Sequence, residues 1–194
     1  MDPARTALLA ELEAHGREHD AAREDRRERL RNVEPETAAM MAMLVRALRA
    51  RRVLELGTSN GYSTVWLADA AEAHGGRVLS VDIDEGRQAS ARENLARAGL
   101  DGVVELRVED AAATLAALPA AGAELVFLDA ERPAYAGYWE DLVRVLASPG
   151  ILLVDNATSH GEEMAPLRAL AEGDDRVTVA LIPVGAGVLA IAAA

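Results

Sequence analysis

The chain has 194 residues, no cysteine and a formal net charge of −12, with 32 acidic against 20 basic residues. All 20 basic residues are arginines, which excludes Schiff-base lysines and the ordinary P-loop, while the absence of cysteine excludes thiolate nucleophiles, disulfides and thiolate metal sites. The length suits one domain, and so acidic a surface makes nucleic acid an unfavourable partner.

The first 33 residues predict a charged helical arm ahead of an α/β core that covers residues 34–194. Apolar residues are too sparse there for a core helix, so the arm is expected to be an exposed helix that Gly16 breaks or weakens. A better helix is predicted to begin near Pro35, because proline is favoured in a first helical turn and apolar residues then recur at helical spacing.

Two further expectations concern the N-terminal part of the chain. Met40, Met41 and Met43 fit either the core or a homodimer interface. The opening Met1-Asp2-Pro3 has no apolar stretch typical of a secretory signal, which favours a cytoplasmic location.

From Arg52 onward, short apolar runs alternate with helical segments. Continuous apolar runs are typical of strands buried on both faces, and their alternation with helices predicts a doubly wound, mostly parallel sheet in an α/β fold. The predicted parallel strands cover residues 52–56, 77–81, 103–108, 123–128 and 150–154. The predicted helices cover residues 63–73, 84–98, 111–118, 134–147 and 162–171.

The uncharged tail over residues 177–194 has two interpretations. Its length is at the lower limit for a membrane span, but Pro183, Gly185 and Gly187 interrupt it. We favour two strands, over about 175–183 and 187–192, whose short connection makes them antiparallel and completes a seven-stranded sheet. No membrane partner is therefore expected.

Ligands of an open α/β sheet bind at the carboxyl ends of its strands. The first predicted strand is followed by Gly57 and Gly61, which permit a tight turn and a close approach of backbone to ligand. The GxxxG spacing lacks the third glycine of the dinucleotide fingerprint, which disfavours NAD or FAD.

Acidic residues follow the next two predicted strands. Asp82 is placed to bind ribose hydroxyls, although Asp84 competes for that role and either could cap a helix. Asp110 could accept a hydrogen bond from an adenine amine or cap the helix beginning at Ala111. A glycine turn and two acids in this order on successive strands predict an adenosine-containing ligand across the sheet.

Polar oxygen ligands follow the fourth and fifth predicted strands. If these strands are neighbours, Asp129 and the pair Asp155 and Asn156 converge on one point. Two carboxylates and an amide suit Mg²⁺ better than zinc. The alternative is that Asp155 and Asn156 cap the next helix and that Asp129 pairs with Arg132.

Three motifs resemble those of the S-adenosylmethionine-dependent O-methyltransferases of the catechol and caffeoyl-coenzyme A type, which are class I methyltransferases. They are VLELGTSNGYSTVWLA at 53–68, LVFLDAERPAYAGYW at 125–139 and GILLVDNATSHG at 150–161. The ending IPVGAGVLA at 182–190 is similar to the closing hairpin of that family. The resemblance covers nearly everything from Glu34 to the C-terminus.

The resemblance implies methyl transfer from S-adenosylmethionine (SAM) to a hydroxyl of a small acceptor. The residues that it implies around the cofactor are Glu55, Gly57, Thr58, Gly61, Tyr62 and Ser63 at the methionine part, Asp82 at the ribose, Asp110 and Ala111 at the adenine, and Asp129. It also implies that Asp129, Asp155 and Asn156 bind Mg²⁺ or another divalent cation that coordinates the acceptor.

The candidate catalytic residues are Asp129, Arg132 and His160, and Arg132 departs from the family pattern. The family usually has lysine where this chain has Arg132, and a protonated guanidinium cannot act as a general base. The metal alone could acidify the acceptor hydroxyl, His160 could take the proton, or the acceptor is unusual.

Two other functions stay open from the sequence. A SAM-binding protein without methyl transfer would also fit the cofactor motifs. Methylation of a hydroxylated tRNA base is disfavoured by the net charge unless basic residues gather on one face, the candidates being Arg26, Arg27, Arg29 and Arg31.

Overall fold

The computed structural model describes residues 1–25 and 28–194. The helices in this part of the chain are α1 (Pro3–Ala21), α2 (Pro35–Leu48), α3 (Tyr62–Glu72), α4 (Glu85–Ala98), α5 (Ala111–Ala117), α6 (Trp139–Val145) and α7 (Gly161–Glu172). A 3-10 helix, Arg132–Tyr138, immediately precedes α6. The strands are β1 (Arg52–Leu56), β2 (Arg77–Asp82), β3 (Val104–Val108), β4 (Ala123–Leu128), β5 (Leu146–Val154), β6 (Val177–Ile182) and β7 (Val188–Ala193).

The seven described strands form one sheet in the order β3-β2-β1-β4-β5-β7-β6. The first five strands run parallel, and β7 pairs antiparallel with both β5 and β6. The strand order reverses between β1 and β4, so the crevice between their carboxyl ends is where ligands of such sheets bind. The predicted doubly wound, mostly parallel α/β fold with a closing antiparallel hairpin is confirmed.

The central strands are buried on both faces, as their continuous apolar runs predicted. In β1, Val53 faces the layer formed by α1 to α4, while Leu54 and Leu56 face the layer that contains α5 to α7. In β4, Phe127 faces the layer of α1 to α4, and Val126 faces the layer that contains α5 to α7. Helices on both faces therefore fix the sheet and the positions of its strand ends.

The predicted helix over 134–147 and strand over 150–154 have different bounds in the structure. The chain first forms the 3-10 helix, in which the buried Tyr135 side chain hydrogen-bonds back to Ala130 and Gly137 lowers the preference for an α-helix. Strand β5 then begins at Leu146 and includes Pro149, a residue that in sequence argues against a strand.

The expectation for the N-terminal helix was wrong in two respects. Helix α1 continues through Gly16, and Leu8, Leu9 and Leu12 are buried against the core. Gly16 serves packing, because a Cβ there would lie 2.5 Å from Nδ2 of Asn32. The charged residues cover the outer face of a helix whose inner face is apolar.

The methionines of α2 divide between core and surface. Met41 is fully buried in the core, Met40 packs against it in part, and Met43 is 58% exposed. The expected homodimer stays a prediction.

The C-terminal tail forms the two antiparallel strands that the sequence favoured over a membrane span. The turn between β6 and β7 contains Gly185 and Gly187 at positive φ angles of 53° and 86°. Across residues 1–25 and 28–194, no helix combines the length and the apolar character that crossing a membrane requires.

Candidate functional site

A cavity of about 420 Å³ opens at the carboxyl ends of the parallel strands. Its walls come from the loops after β1, β2, β3 and β4 and from residues 30–33, which follow α1. Most residues predicted to hold the cofactor line it: Gly57, Thr58, Tyr62, Ser63, Asp82, Asp110, Ala111 and Asp129. Glu55 and Gly61 do not line the cavity.

The two glycines of the first loop are required by close packing. Gly57 has a φ angle of 106°, and a Cβ there would lie 2.1 Å from the backbone oxygen of Asp129. Gly61 has a φ angle of 84° and caps α3, where a Cβ would lie 3.1 Å from Ala91. The predicted tight turn therefore lets the ends of β1 and β4 come together.

Glu55 lies fully buried beneath this loop. The Ser63 hydroxyl donates a hydrogen bond to one of its carboxylate oxygens at 2.6 Å, and the hydroxyls of Thr64 and Ser80 donate to the other. Burial raises the pKa of Glu55 to about 7, although the three hydroxyls oppose this shift. Glu55 therefore orients Ser63, which reaches the cavity, and does not reach the cavity itself.

The competing residues Asp82 and Asp84 have separate structural roles. Asp84 caps α4 by accepting a hydrogen bond from the Arg87 backbone at 2.9 Å. Asp82 accepts from the backbone N–H groups of Ser59 and Asp84 at 2.9 and 3.0 Å, which ties the first and second loops together. Both side chains line the cavity.

Asp110 combines the two roles that the sequence offered as alternatives. One carboxylate oxygen caps α5 by accepting hydrogen bonds from Ala112 and Ala113. The residue also lines the cavity together with Ala111. A helix cap and a ligand contact are thus compatible at this position.

The three predicted metal ligands lie together. The Asn156 amide nitrogen is 2.8 Å from Oδ2 of Asp155 and 3.4 Å from Oδ1 of Asp129. Asn156 has a φ angle of 64°, a left-handed conformation that asparagine tolerates well. Neither Asp155 nor Asn156 caps α7, whose N-cap is His160.

The chemistry of this group fits a divalent cation. Oδ1 of Asp155 is buried and has no hydrogen-bond partner among the described residues. Burial raises the pKa of both carboxyl groups, and the charge of Asp129 raises that of Asp155 further. Two crowded, buried carboxylates favour a cation between them, and Asn156 would have to turn its amide oxygen inward to join its coordination.

Asp129, Asp155 and Asn156 offer few protein ligands for a metal ion. The described ranges contain no cluster of three or more histidine, cysteine or acidic side chains suited to a metal ion. The candidate site has two carboxylates and one amide, so any remaining coordination positions belong to water or substrate, as is usual for Mg²⁺.

Arg132 and His160 lie outside the walls of the cavity. The Arg132 side chain is 5% exposed, and its Nε donates to Glu163 at 2.8 Å, so the alternative pairing of Arg132 with Asp129 is not found. His160 stands at the start of α7, with Nδ1 2.9 Å from the Ser159 hydroxyl. Their catalytic roles stay predictions.

Two of the four arginines considered for tRNA, Arg29 and Arg31, lie among the described residues. The Arg29 guanidinium donates to the Arg23 backbone oxygen, while Arg31 lines the cavity. Arg26 and Arg27 lie outside the described residues.

The sequence did not identify several residues that line the cavity. Ile83 and Glu109 directly follow the ends of β2 and β3, while Tyr138 is the last residue of the 3-10 helix. Ile83 is 70% exposed, which is unusual for so large an apolar side chain. Ile83 could have been predicted from the sequence, because it directly follows Asp82 at a predicted strand end. Arg31 gave no such signal, because it lies in a connection between two helices.

The chain matches a family model and curated relatives. The family model described as O-methyltransferase matches residues 8–193. A catechol O-methyltransferase of Niastella koreensis is 36% identical over 135 residues, covering 68% of this chain and 60% of the relative. A catechol O-methyltransferase of Mycobacterium tuberculosis is 36% identical over 148 residues, covering 76% and 64%. This chain thus spans less than two thirds of the length of these two relatives.

A solved structure extends the comparison to the fold. The O-methyltransferase TomG of Streptomyces achromogenes, solved in complex with SAM, superposes with a TM-score of 0.79 at 26% identity. The superposition covers 100% of this chain and 90% of that protein.

Proposed function

The chain belongs to the O-methyltransferase family, and from that membership we propose that it transfers a methyl group from SAM to a hydroxyl oxygen of a small acceptor. The observation that carries the proposal is the position of Asp129, which lines the cavity and also lies 3.4 Å from Asn156. A methyl donor in the cavity and an acceptor at the carboxylates would meet at this residue.

The cavity residues suit the three parts of SAM. Ser63 and the loop at Gly57 would bind the methionine part, and Asp82 the two ribose hydroxyls. Asp110 and Ala111 would flank the adenine. SAM bound there supplies a methyl group on a sulfonium, ready for displacement. The cofactor-bound TomG structure of similar fold supports this assignment.

The protein itself contributes mainly geometry. In-line displacement requires the acceptor oxygen and the methyl group to be aligned, and such positioning supplies several kcal/mol of the barrier. The buried bonds from Ser63 to Glu55 and from Ser59 to Asp82 fix the loops that would hold the donor.

Asp129, Asp155 and Asn156 would hold a divalent cation, which we take to be Mg²⁺. A divalent cation held by these residues would supply Lewis-acid chemistry toward the acceptor hydroxyl and so favour the loss of its proton. The unpartnered Oδ1 of Asp155 and the crowding of two carboxylates support this assignment.

The proton of the acceptor hydroxyl needs a destination other than Arg132. Arginine stays protonated at working pH, and the Arg132 guanidinium is buried in a bond to Glu163. It can stabilise negative charge near Asp155 without accepting a proton. The proton is then transferred to water or to His160, at the start of α7.

The test replaces Asp155 by alanine. We expect Mg²⁺-dependent methylation to be abolished, while the affinity for S-adenosylhomocysteine, measured by titration calorimetry, stays nearly unchanged, because Asp155 does not line the cavity. Asp101→Ala, in an exposed turn before β3, is the matched control and should retain turnover. Equal loss of turnover and cofactor affinity in Asp155→Ala would mean that Asp155 is structural.

Binding of SAM without methyl transfer is the competing function. Mass spectrometry of a panel of catechols, incubated with the protein, SAM and Mg²⁺, distinguishes the two. A gain of one methyl group on an acceptor supports the transferase, whereas cofactor binding with no methylated product across the panel would favour a sensor or an assembly subunit.

A further inference from the structure

Arg31 is a cation inside the cavity that the proposed chemistry does not use. It lines the wall that also contains Asp129, Ala130 and Glu131. The other basic side chain among the described lining residues, Arg87, belongs to α4 beside Asp84, and its guanidinium donates to the Arg29 backbone oxygen. Arg31 is therefore the basic group on the side where donor and acceptor would meet.

The backbone around Arg31 is held in a fixed, uncommon conformation. Arg31 has a φ angle of 54°, a left-handed conformation that arginine rarely adopts. The Asp20 carboxylate accepts hydrogen bonds from the backbone N–H groups of Leu30 and Arg31 at 2.7 and 2.9 Å. The Ser59 hydroxyl, on the first cavity loop, donates to the Leu30 oxygen. Such over-determined strain is typical of sites that orient a side chain for function.

The Arg31 guanidinium has unused hydrogen-bonding capacity. Its Nε is buried without a hydrogen-bond partner in residues 1–25 and 28–194. Its Nη2 lies 3.6 Å from Oε1 of Glu131, a side chain that is 73% exposed and can turn into solvent. A guanidinium presents five donors in a planar fork that matches a carboxylate, so a planar anion could take up this capacity.

We propose that Arg31 binds a carboxylate of the acceptor, so that the preferred acceptors are hydroxylated aromatic acids and not neutral catechols. The assignment rests on the proposed function, because it assumes that the acceptor hydroxyls lie at Asp129, Asp155 and Asn156. With a divalent cation balancing the two aspartates, Arg31 is the positive group left to meet an anionic substituent.

The test compares 3,4-dihydroxybenzoate with catechol. Equilibrium binding of each is measured to the protein saturated with S-adenosylhomocysteine and Mg²⁺, alongside kcat/KM for methylation. We expect the wild type to favour the acid, and Arg31→Met to reduce that preference by about tenfold or more, since a charge-assisted bond is lost. Arg31→Lys should keep part of the preference for the acid. Arg17→Met removes an equal charge from an exposed site on α1 and should leave the ratio unchanged.

The outcomes separate this inference from the proposed function. If the wild type and Arg31→Met show the same ratio of acid to catechol binding, the role of Arg31 is overturned, even if both acceptors are methylated. Weakened S-adenosylhomocysteine binding in Arg31→Met with an unchanged acceptor ratio would assign the guanidinium to the carboxylate of the cofactor and also overturn it. Absence of turnover with a preserved, Arg31-dependent preference in binding would contradict the methyl transfer and support the carboxylate site.

Discussion

Glu55 is a buried carboxyl group whose hydrogen bonds from the described residues come from three hydroxyls, and these donors do not fully offset the effect of burial on its pKa. Its pKa rises to about 7 in the folded protein, so the folded state holds this proton more tightly than the unfolded state. Stability from this residue is therefore present at low pH and is lost as pH rises from the unfolded pKa through the folded one, by on the order of 3 kcal/mol.

Glu55→Gln tests this, because an amide has no charge to bury. We expect urea unfolding to show the variant gaining stability relative to wild type between about pH 5 and about pH 8. The control, Glu93→Gln at an exposed position on α4, should show little change in that difference. Parallel pH profiles of wild type and Glu55→Gln would contradict the burial argument.

At single residues, the sequence predicted side chains whose positions follow from strand ends. Asp82 ends β2, Asp129 directly follows β4, and Asp110 follows β3 after Glu109, so all three lie at the edge formed by the carboxyl ends of the parallel strands. The sequence identified Glu55 near the end of a strand but placed it at the cofactor. The side chain instead points away from the cavity, toward three buried hydroxyls. Arg31 could not be found, since its position depends on how α1 packs against the core.

At the scale of elements, the connection between α1 and α2 contributes residues 30–33 to one wall of the cavity. Asp20, at the end of α1, binds the backbone of Leu30 and Arg31. Although burial opposes it, the pKa of Asp20 lies below its usual range because His19 and these two N–H groups hydrogen-bond to its carboxylate. The ionised side chain thus anchors the wall.

Asp20→Ala should loosen this wall without unfolding the core. We expect faster hydrogen exchange in residues 28–33 and S-adenosylhomocysteine affinity lower by about tenfold, since two hydrogen bonds to a charged group are lost. Glu18→Ala removes an exposed acid from the same helix and should change neither quantity. Unchanged exchange in Asp20→Ala would mean that other contacts, such as Ser59 to Leu30, hold the segment alone.

Elements were predictable where burial and local sequence agree. Apart from β5, which begins at Leu146 instead of residue 150, the strands were found close to their observed bounds. Helix α4, which has an aspartate cap and a C-terminal glycine, was also found close to its observed bounds. Helix α1 was misjudged because Gly16 has a low helix propensity but lies against Asn32, a contact between distant residues. The 3-10 helix was missed for a different, local reason, since the Tyr135 side chain hydrogen-bonds to the backbone of Ala130.

For the whole molecule, the net charge of −12 predicts that repulsion between surface charges opposes folding. Several of the described ion pairs, such as Arg168 with Glu172, have both side chains exposed and contribute little. Raising NaCl from about 20 mM to about 200 mM shortens the screening length to below roughly 10 Å and should weaken the repulsion more than it weakens the pairs.

We therefore expect the melting temperature to rise by a few degrees over this range of salt, measured by calorimetry in the presence of a chelator so that divalent cations do not contribute. Sodium sulfate at matched ionic strength is not a suitable substitute, because sulfate also strengthens apolar burial. A melting temperature that falls with salt would mean that ion pairs, including Arg5 with Asp69 and Glu72, stabilise the fold more than the excess acidic charge destabilises it.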